Sequence, residues 1–465
     1  MTTLDKLIPE AGRFDSSLIQ KYDRPVPRYT SYPTAVQFGS DYGPQLKRED
    51  LTAAATIDEP LSVYIHLPFC ASICLFCGCN VTPTRDRRRS DRYLDYLEKE
   101  MDLTFAHLGR NRAVDQLHFG GGSPTFFSPE QLARLMRALS SRLKFLPGAE
   151  ISIECNPRET SLDHLKMLSS LGFNRLSFGV QDINPEVQEA VNRIEPESLL
   201  EPLFKNAREL GFESLSFDLI YGLPKQTPES FAHSLQRILQ WRPDRLALFH
   251  FAYLPDRIAR QKALDASAMP SAEEKQRIFE ESLSTLSQWG YRHIGLDHFA
   301  LPGDTLSKAL DQGALNRNFQ GYHAKPSYDL LGMGVSSISN TSNSYSQNHK
   351  TIALWESLLD SGNLPVERGV RVTDEDRFRK EIIHGILCRN QVDLAEVATT
   401  YQRNHQEVIQ WGKQRTEELV RDDLVRWEGS TLCVTNSGRM WSRNIASVFD
   451  AYLEGSAGAV FSRSV

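Results

Sequence analysis

Four of the seven cysteines in the 465-residue sequence crowd into ten residues, Cys70, Cys74, Cys77 and Cys79, while Cys155, Cys388 and Cys433 stand singly. An odd, clustered set of thiols in a reducing compartment argues for metal rather than disulfides. The run Cys70-Ala-Ser-Ile-Cys74-Leu-Phe-Cys77 follows directly on a strand-like segment. One loop can therefore wrap three corners of a cubane iron–sulfur cluster. Cys79 lies one residue past Cys77, and Gly78 would have to bend sharply to bring both sulfurs to one cubane, so Cys79 is not expected to be a ligand. The alternative is a four-thiolate zinc site. Structural zinc sites usually pair two separated Cys-x-x-Cys hooks, and the sequence offers no second hook.

Three local thiolates leave one iron open. A ferredoxin-type cluster closes every iron with cysteine and passes electrons, whereas an open iron can chelate the amino and carboxylate groups of S-adenosylmethionine. Chelation puts the sulfonium beside the cluster, where one electron cleaves its carbon–sulfur bond.

Such a site needs a rigid frame. Between about residues 61 and 300, short apolar runs alternate with longer segments of helical period, which predicts repeated βα units and a parallel sheet. The predicted strands are Ser62–His66, Asp115–Phe119, Glu150–Glu154, Arg175–Val180, Ser214–Leu219 and Arg245–Ala252, with a weaker one at His293–Leu296. Amphipathic stretches at Asp91–Leu108, Pro129–Leu143 and Glu229–Trp241 predict helices between them. Six such units suit an incomplete βα barrel, an α/β fold whose reactive residues gather where strands end. The residues closing these strands are His66, Gly120-Gly121-Gly122, Glu154, Gln181, Asp218 and Tyr221, a concentration of donors and acceptors that a ligand site needs.

The pattern divides the chain into an N-terminal arm over 1–60, a partial barrel over 61–345 and a mostly helical C-terminal domain over 346–465. The arm has no clear period and carries Pro25, Pro27 and Pro33 around an aromatic run. In the C-terminal domain, Leu424–Val434 reads as a small hairpin before a final helix near Asn436–Leu453, giving a winged-helix-like appendix. Composition excludes other classes. Hydrophobic residues make up 40%, charged residues 24% and the formal net charge is −6, so no nucleic-acid or membrane partner is indicated. The N-terminus lacks a basic start before an apolar core, and no stretch reaches the roughly 18 apolar residues of a membrane span. A cytoplasmic location is expected. The run Thr84–Arg92 could grip phosphates, but Asp86 and Asp91 interrupt it, and a solvated helix start is expected instead. His66, His118 and His298 lie near apolar strands, where a satisfied core histidine is the default.

Cys-x3-Cys-x2-Cys is the signature of the radical S-adenosylmethionine superfamily. Within it, Pro27-Arg-Tyr-Thr-Ser-Tyr-Pro-Thr34, Tyr64-Ile-His-Leu-Pro-Phe-Cys70 and Cys77-Gly-Cys79-Asn80 resemble the oxygen-independent coproporphyrinogen III oxidase family. So do Gly120-Gly-Gly-Ser-Pro-Thr125, Gly179-Val-Gln-Asp182, Asp218-Leu-Ile-Tyr-Gly-Leu-Pro224, Arg317-Asn-Phe-Gln-Gly-Tyr322, Leu331-Gly-Met-Gly-Val-Ser336 and the terminal Phe461-Ser-Arg463. The likeness runs from about residue 14 to the end.

The resemblance implies an incomplete parallel (β/α)6 barrel of radical S-adenosylmethionine type and a [4Fe-4S] cluster on Cys70, Cys74 and Cys77. It places Tyr64, Gly121, Glu154 and Ile338 around the cluster-bound S-adenosylmethionine, with Tyr64 and Glu154 expected to be catalytic. It places Phe76, Gly122, Ser123, Gln181, Arg193, Asp218 and Ala252 around a second S-adenosylmethionine. The implied reaction converts two propionates of coproporphyrinogen III to vinyl groups, giving protoporphyrinogen IX for haem synthesis. An electron donor and an electron acceptor are implied but not identified, and a monomer is expected. Arg28, Lys225 and Arg317 are candidate anchors for substrate carboxylates. The sequence departs from the family pattern at Ser123, which keeps the hydroxyl of an expected Thr, at Asn156 where an acid is expected, and at His250-Phe251 where another aromatic pair is expected. Two rivals are a haem-binding chaperone of the same superfamily and a zinc-stabilised nucleic-acid-binding protein. The chaperones typically lack the Pro27–Thr34 arm and the extra cysteine, and this sequence has both.

Overall fold

The computed structural model describes residues 16–326 and 328–453, so the terminal motif Phe461–Arg463 and the start of the arm lie outside the described residues. The chain forms two compact units. The site-bearing unit comprises Phe38–Lys275 and Tyr328–Arg371; the other gathers Met1–Gln37, Gln276–Ser327 and Val372–Val465.

Six strands in the site-bearing unit are parallel and follow chain order: β1 Leu61–Leu67, β2 Arg112–Gly121, β3 Leu143–Cys155, β4 Arg175–Gln181, β5 Ser214–Tyr221 and β6 Arg245–His250. All six predicted strands are present. Their inner positions are apolar and fully buried, among them Val63, Ile65, Leu117, Phe119, Ile153, Phe178, Leu215 and Phe217. Burial alternates along β4 and β5, so one face of the sheet packs tightly while the positions between, such as Ser177 and Asp218, are half-buried on the other face.

The connecting helices are α1 Arg88–Leu108, α2 Pro129–Ser140, α3 Leu162–Ser170, α4 Glu197–Glu209 and α5 Pro228–Gln240. Capping boxes at Ser128, Ser161 and Thr227 start three of them by satisfying otherwise orphaned N–H groups. The arginine run before and into α1 is ion-paired: Arg87 with Glu159, Arg88 with Asp86 and Arg92 with Glu356.

Beyond the six strands, β1 also pairs in parallel with β7 Leu330–Met333, and three antiparallel strands extend the sheet: β8 Ile338–Thr341, β9 Ser344–Asn348 and β10 Val366–Arg371. The weaker strand expected at His293–Leu296 is present as Arg292–Gly295, and it pairs antiparallel with His298–Ala300.

That other unit has its own apolar core, including Tyr22, Ile294, Leu315, Phe378, Ile382, Leu394, Leu432, Trp441 and Phe449. The predicted hairpin is Val425–Glu428 with Thr431–Val434, and Gln391–Asp393 completes a three-stranded sheet. Short helical turns at Ser437–Trp441 and Ser442–Ser447 stand where one final helix was expected.

Candidate active site

Parallel strands in chain order bring their C-terminal ends to one edge, and every candidate cofactor residue lies on this unit. The loop after β1 carries the three ligand candidates. Cys74 is buried and Cys70 and Cys77 are half-buried, and all seven cysteines are free. Each thiol of the triad receives hydrogen bonds. Ser123 Oγ lies 3.4 Å from Cys70 Sγ, Arg158 Nη2 and Arg193 Nη1 both lie 3.3 Å from Cys74 Sγ, and the Cys79 N–H is 3.4 Å from Cys77 Sγ. Donors aimed at sulfur favour thiolates. Hydrogen bonding with Cys79, aided by Arg260 and Arg193, brings the Cys77 pKa down to about 6 against the opposing effect of burial, and the same contact together with burial pushes the Cys79 thiol up. Burial pushes the Cys70 thiol up to about 11. A nearby iron would reverse that, because a metal binds the thiolate and displaces the proton.

Among the described residues no three His, Cys, Asp or Glu side chains are placed to hold a single metal ion. A cubane does not require this, since each thiolate ligates a different iron.

The glycine loop closes β2. Gly121 has φ +115°, a conformation that a side chain would strain, and its N–H donates to Glu154 Oε2 at 3.1 Å. A Cβ on Gly122 would stand 2.6 Å from the Pro68 backbone, so only glycine allows this loop to lie against the cysteine loop. Its N–H donates to the Leu67 carbonyl at 2.9 Å.

Glu154 ends β3 with its side chain 45% exposed. Burial of its surroundings acts to raise its pKa, but His118 at 3.4 Å and the Gly121 N–H win and hold it below the usual carboxylate range. Tyr64 on β1 is half-buried, stacks on His118 with ring centroids 6.0 Å apart and bonds His66 Nδ1 at 3.1 Å. Burial pushes the His66 pKa down, and its Nε2 meets the Asn80 carbonyl at 3.0 Å. His66 and His118 are thus satisfied histidines that orient Tyr64 and Glu154.

Gln181 closes β4 in the left-handed region at φ 64°, and its Oε1 is buried without a hydrogen-bond partner. Nε of Arg193 is likewise unpartnered. Strained backbone and orphaned polar atoms gather where a ligand is to complete them. Asp218 on β5 stands opposite Gly179 in register, and burial followed by repulsion from Glu154 pushes its pKa up to about 7. Phe76 and Ala252 are brought together through Gln261, which donates to both of their carbonyls at 3.1 Å. Ile338 opens β8, packed so closely on β7 that a Cβ on Gly332 would overlap its carbonyl. The donor set, the side-chain-free loop and the two orphaned atoms fit a cubane cluster with a polar organic ligand beside it.

Sequence reasoning missed Arg158 and underrated Asn156, which links to Ser123 by a 3.0 Å hydrogen bond. Arg158 lies four residues past the end of Glu154 in a loop, and its only sequence signal is a charge near a strand end. Of the candidate substrate anchors, Arg28 is ion-paired with Asp297 at 2.5 Å. Arg317 lies over the Tyr322 ring with Nε and Nη1 buried and unpartnered. Lys225 has φ 68° in the loop after β5.

A family model of the Radical SAM superfamily matches residues 64–238, the span from Tyr64 into α5. The chain is 44% identical over 441 residues to the oxygen-independent coproporphyrinogen III oxidase of Escherichia coli, covering 95% of this chain and 96% of that one. It is 41% identical over 455 residues to the protein of the same name from Pseudomonas aeruginosa, covering 97% and 99%. The solved structure of coproporphyrinogen III oxidase from Escherichia coli, described as a radical SAM enzyme, matches with a TM-score of 0.89 at 42% identity, covering 94% of this chain and 99% of that one. With identity at this level over almost its whole length, and the cysteine triad and glycine loop placed at one edge of the sheet, this chain belongs to the oxygen-independent coproporphyrinogen III oxidase family of radical S-adenosylmethionine enzymes.

Proposed function

We propose that the protein oxidatively decarboxylates two propionate side chains of coproporphyrinogen III to vinyl groups, yielding protoporphyrinogen IX. The observation that carries this reading is the near-full-length identity to the Escherichia coli relative, together with three thiols set beside a loop that only glycine can form. When bound, the cluster and S-adenosylmethionine supply one-electron carbon–sulfur cleavage and a hydrogen-abstracting radical. Each propionate then loses a β-hydrogen atom, carbon dioxide and one electron, so two cycles and an outside electron acceptor are needed.

The chain's own residues bind, orient and exclude water. Cys70, Cys74 and Cys77 hold the cluster. Glu154, kept ionised by His118 and Gly121, accepts from a cationic amino group, while Tyr64 fixes the reacting end. Ile338 covers the same ligand. Phe76, Gly122, Ser123, Gln181, Arg193, Asp218 and Ala252 form the place for a second S-adenosylmethionine, supported by the orphaned Gln181 and Arg193 atoms. Arg317, with donors to spare, suits a substrate carboxylate. We read the protein as a monomer served by a one-electron donor and acting without nucleic acid or membrane. Among the described residues no helix is long and apolar enough to cross a membrane.

An anaerobic assay of the reconstituted protein with S-adenosylmethionine, reductant and coproporphyrinogen III tests the proposal. Protoporphyrinogen IX is expected. Cleavage of S-adenosylmethionine without that product would overturn the substrate assignment.

A further inference from the structure

Two guanidinium groups converge on one cysteine. Arg158 Nη2 and Arg193 Nη1 each stand 3.3 Å from Cys74 Sγ. Glu195, whose side chain is fully buried, ties them together, with Oε1 3.1 Å from Arg193 and 3.6 Å from Arg158. From Arg158 a second set of bonds leads back to the first cysteine. Arg158 Nε donates to Asn156 Oδ1 at 3.4 Å, Asn156 Nδ2 donates to Ser123 Oγ at 3.0 Å, and Ser123 Oγ donates to Cys70 Sγ at 3.4 Å. A continuous polar chain thus joins Cys70 to Cys74 through Ser123, Asn156 and Arg158. Arg158 and Arg193 have side chains only 18% and 9% exposed, so water screens little of their charge.

Resting on the iron–sulfur reading of the triad, we propose that Arg158 and Asn156 are positioning residues that set the reduction potential of the cluster. Hydrogen bonds and positive charge at a ligand sulfur draw off electron density and favour the reduced, more negative state. Reduction must precede cleavage of the sulfonium, so this chain governs how readily the site accepts its electron. Asn156 has a specific part. Its amide both accepts from Arg158 and donates to Ser123, which a carboxylate cannot do. An acid there would break the link and place negative charge between the two ligand cysteines. The neutral residue at a position where an acid is expected therefore makes the cluster easier to reduce.

The test uses the full chain, reconstituted anaerobically, with iron content and the midpoint potential followed by electron paramagnetic resonance. Arg158→Met should keep its iron and lower the potential by the equivalent of about a tenfold change in the reduction equilibrium, about 59 mV for one electron. Arg158→Lys, retaining charge but not the two-way fork, should fall by less. Asn156→Asp should also fall. Potentials unchanged from the parent in Arg158→Met and Asn156→Asp at full iron content would overturn the proposal. If Arg158→Met fails to hold iron, the potentials of Arg158→Lys and Asn156→Asp decide by the same criterion. A parent protein that takes up no cluster would instead sink the reading of the triad itself.

Discussion

The two units put some of their buried polar groups to different uses. In the site-bearing unit they collect at strand ends and leave atoms such as Gln181 Oε1 without a protein partner. In the other unit they fasten together stretches far apart in sequence: Tyr29 donates to Asp450 at 2.9 Å, Asn444 to the Tyr22 carbonyl at 2.7 Å, and Ala451 N–H to Tyr32 at 2.9 Å. A functional site keeps hydrogen-bonding capacity in reserve for a ligand, and the other unit does so at Arg317, while these three bonds join its distant chain segments.

The largest effect that separates the two is at the triad. Cys70→Ala should abolish iron uptake and reduce turnover to background, while Cys79→Ala should keep its iron. Iron analysis of both reconstituted variants checks this, and loss in both would make Cys79 a ligand.

Individual buried groups of the two units should also respond oppositely to pH. Burial pushes the pKa of His293 down to about 4 and that of His384 down to about 3, with Arg439 and Arg389 reinforcing it. Their unfolded forms protonate near 6.5, so the stability each contributes is full above that pH and is lost as pH falls toward 4, to the extent of about 3 kcal/mol. Glu100 in the site-bearing unit is pushed up to about 7 by burial, against the hydrogen bonds it accepts from Gly334, Asn348 and Trp355. Its contribution is full below about 4.5 and lost as pH rises through 7, again about 3 kcal/mol. Hydrogen exchange corrected for intrinsic rates, compared at pH 5 and 7.5, should show protection falling at acid pH around Ile294 and Ile382 and rising around Leu97 and Tyr345. A uniform change in both would break the contrast.

A smaller effect sharpens it. Gly122→Ala places a methyl group against the Pro68 backbone and should cost about 1–3 kcal/mol. Exchange should rise in the site-bearing unit, and S-adenosylmethionine should bind more weakly in a calorimetric titration.

The parallel strands and the triad were readable because apolar runs such as Leu61–Leu67 and thiol spacing are local signals. The strand Ser344–Asn348 gave no such signal: its residues Ser-Tyr-Ser-Gln-Asn are all buried yet mostly polar. They are satisfied by distant partners, Tyr42 for Ser344, Lys47 for Ser346 and Glu100 for Asn348, which no periodicity can reveal. The helix Pro44–Ala54, which carries Lys47, was hidden for a related reason, since two of its four buried residues are the charged Lys47 and Asp50. Leu143–Cys155 begins earlier than expected because Pro147 and Gly148 interrupt the apolar pattern without ending the strand. At the site, the strand-end residues were legible from position alone. Arg158 was not, because its role exists only where its loop meets Cys74.

The most direct test is electron paramagnetic resonance of the reduced cluster before and after S-adenosylmethionine is added. An iron without a protein ligand predicts a changed spectrum as the amino and carboxylate groups bind it. A spectrum left identical at saturating S-adenosylmethionine would mean that no iron is open, and would contradict the account.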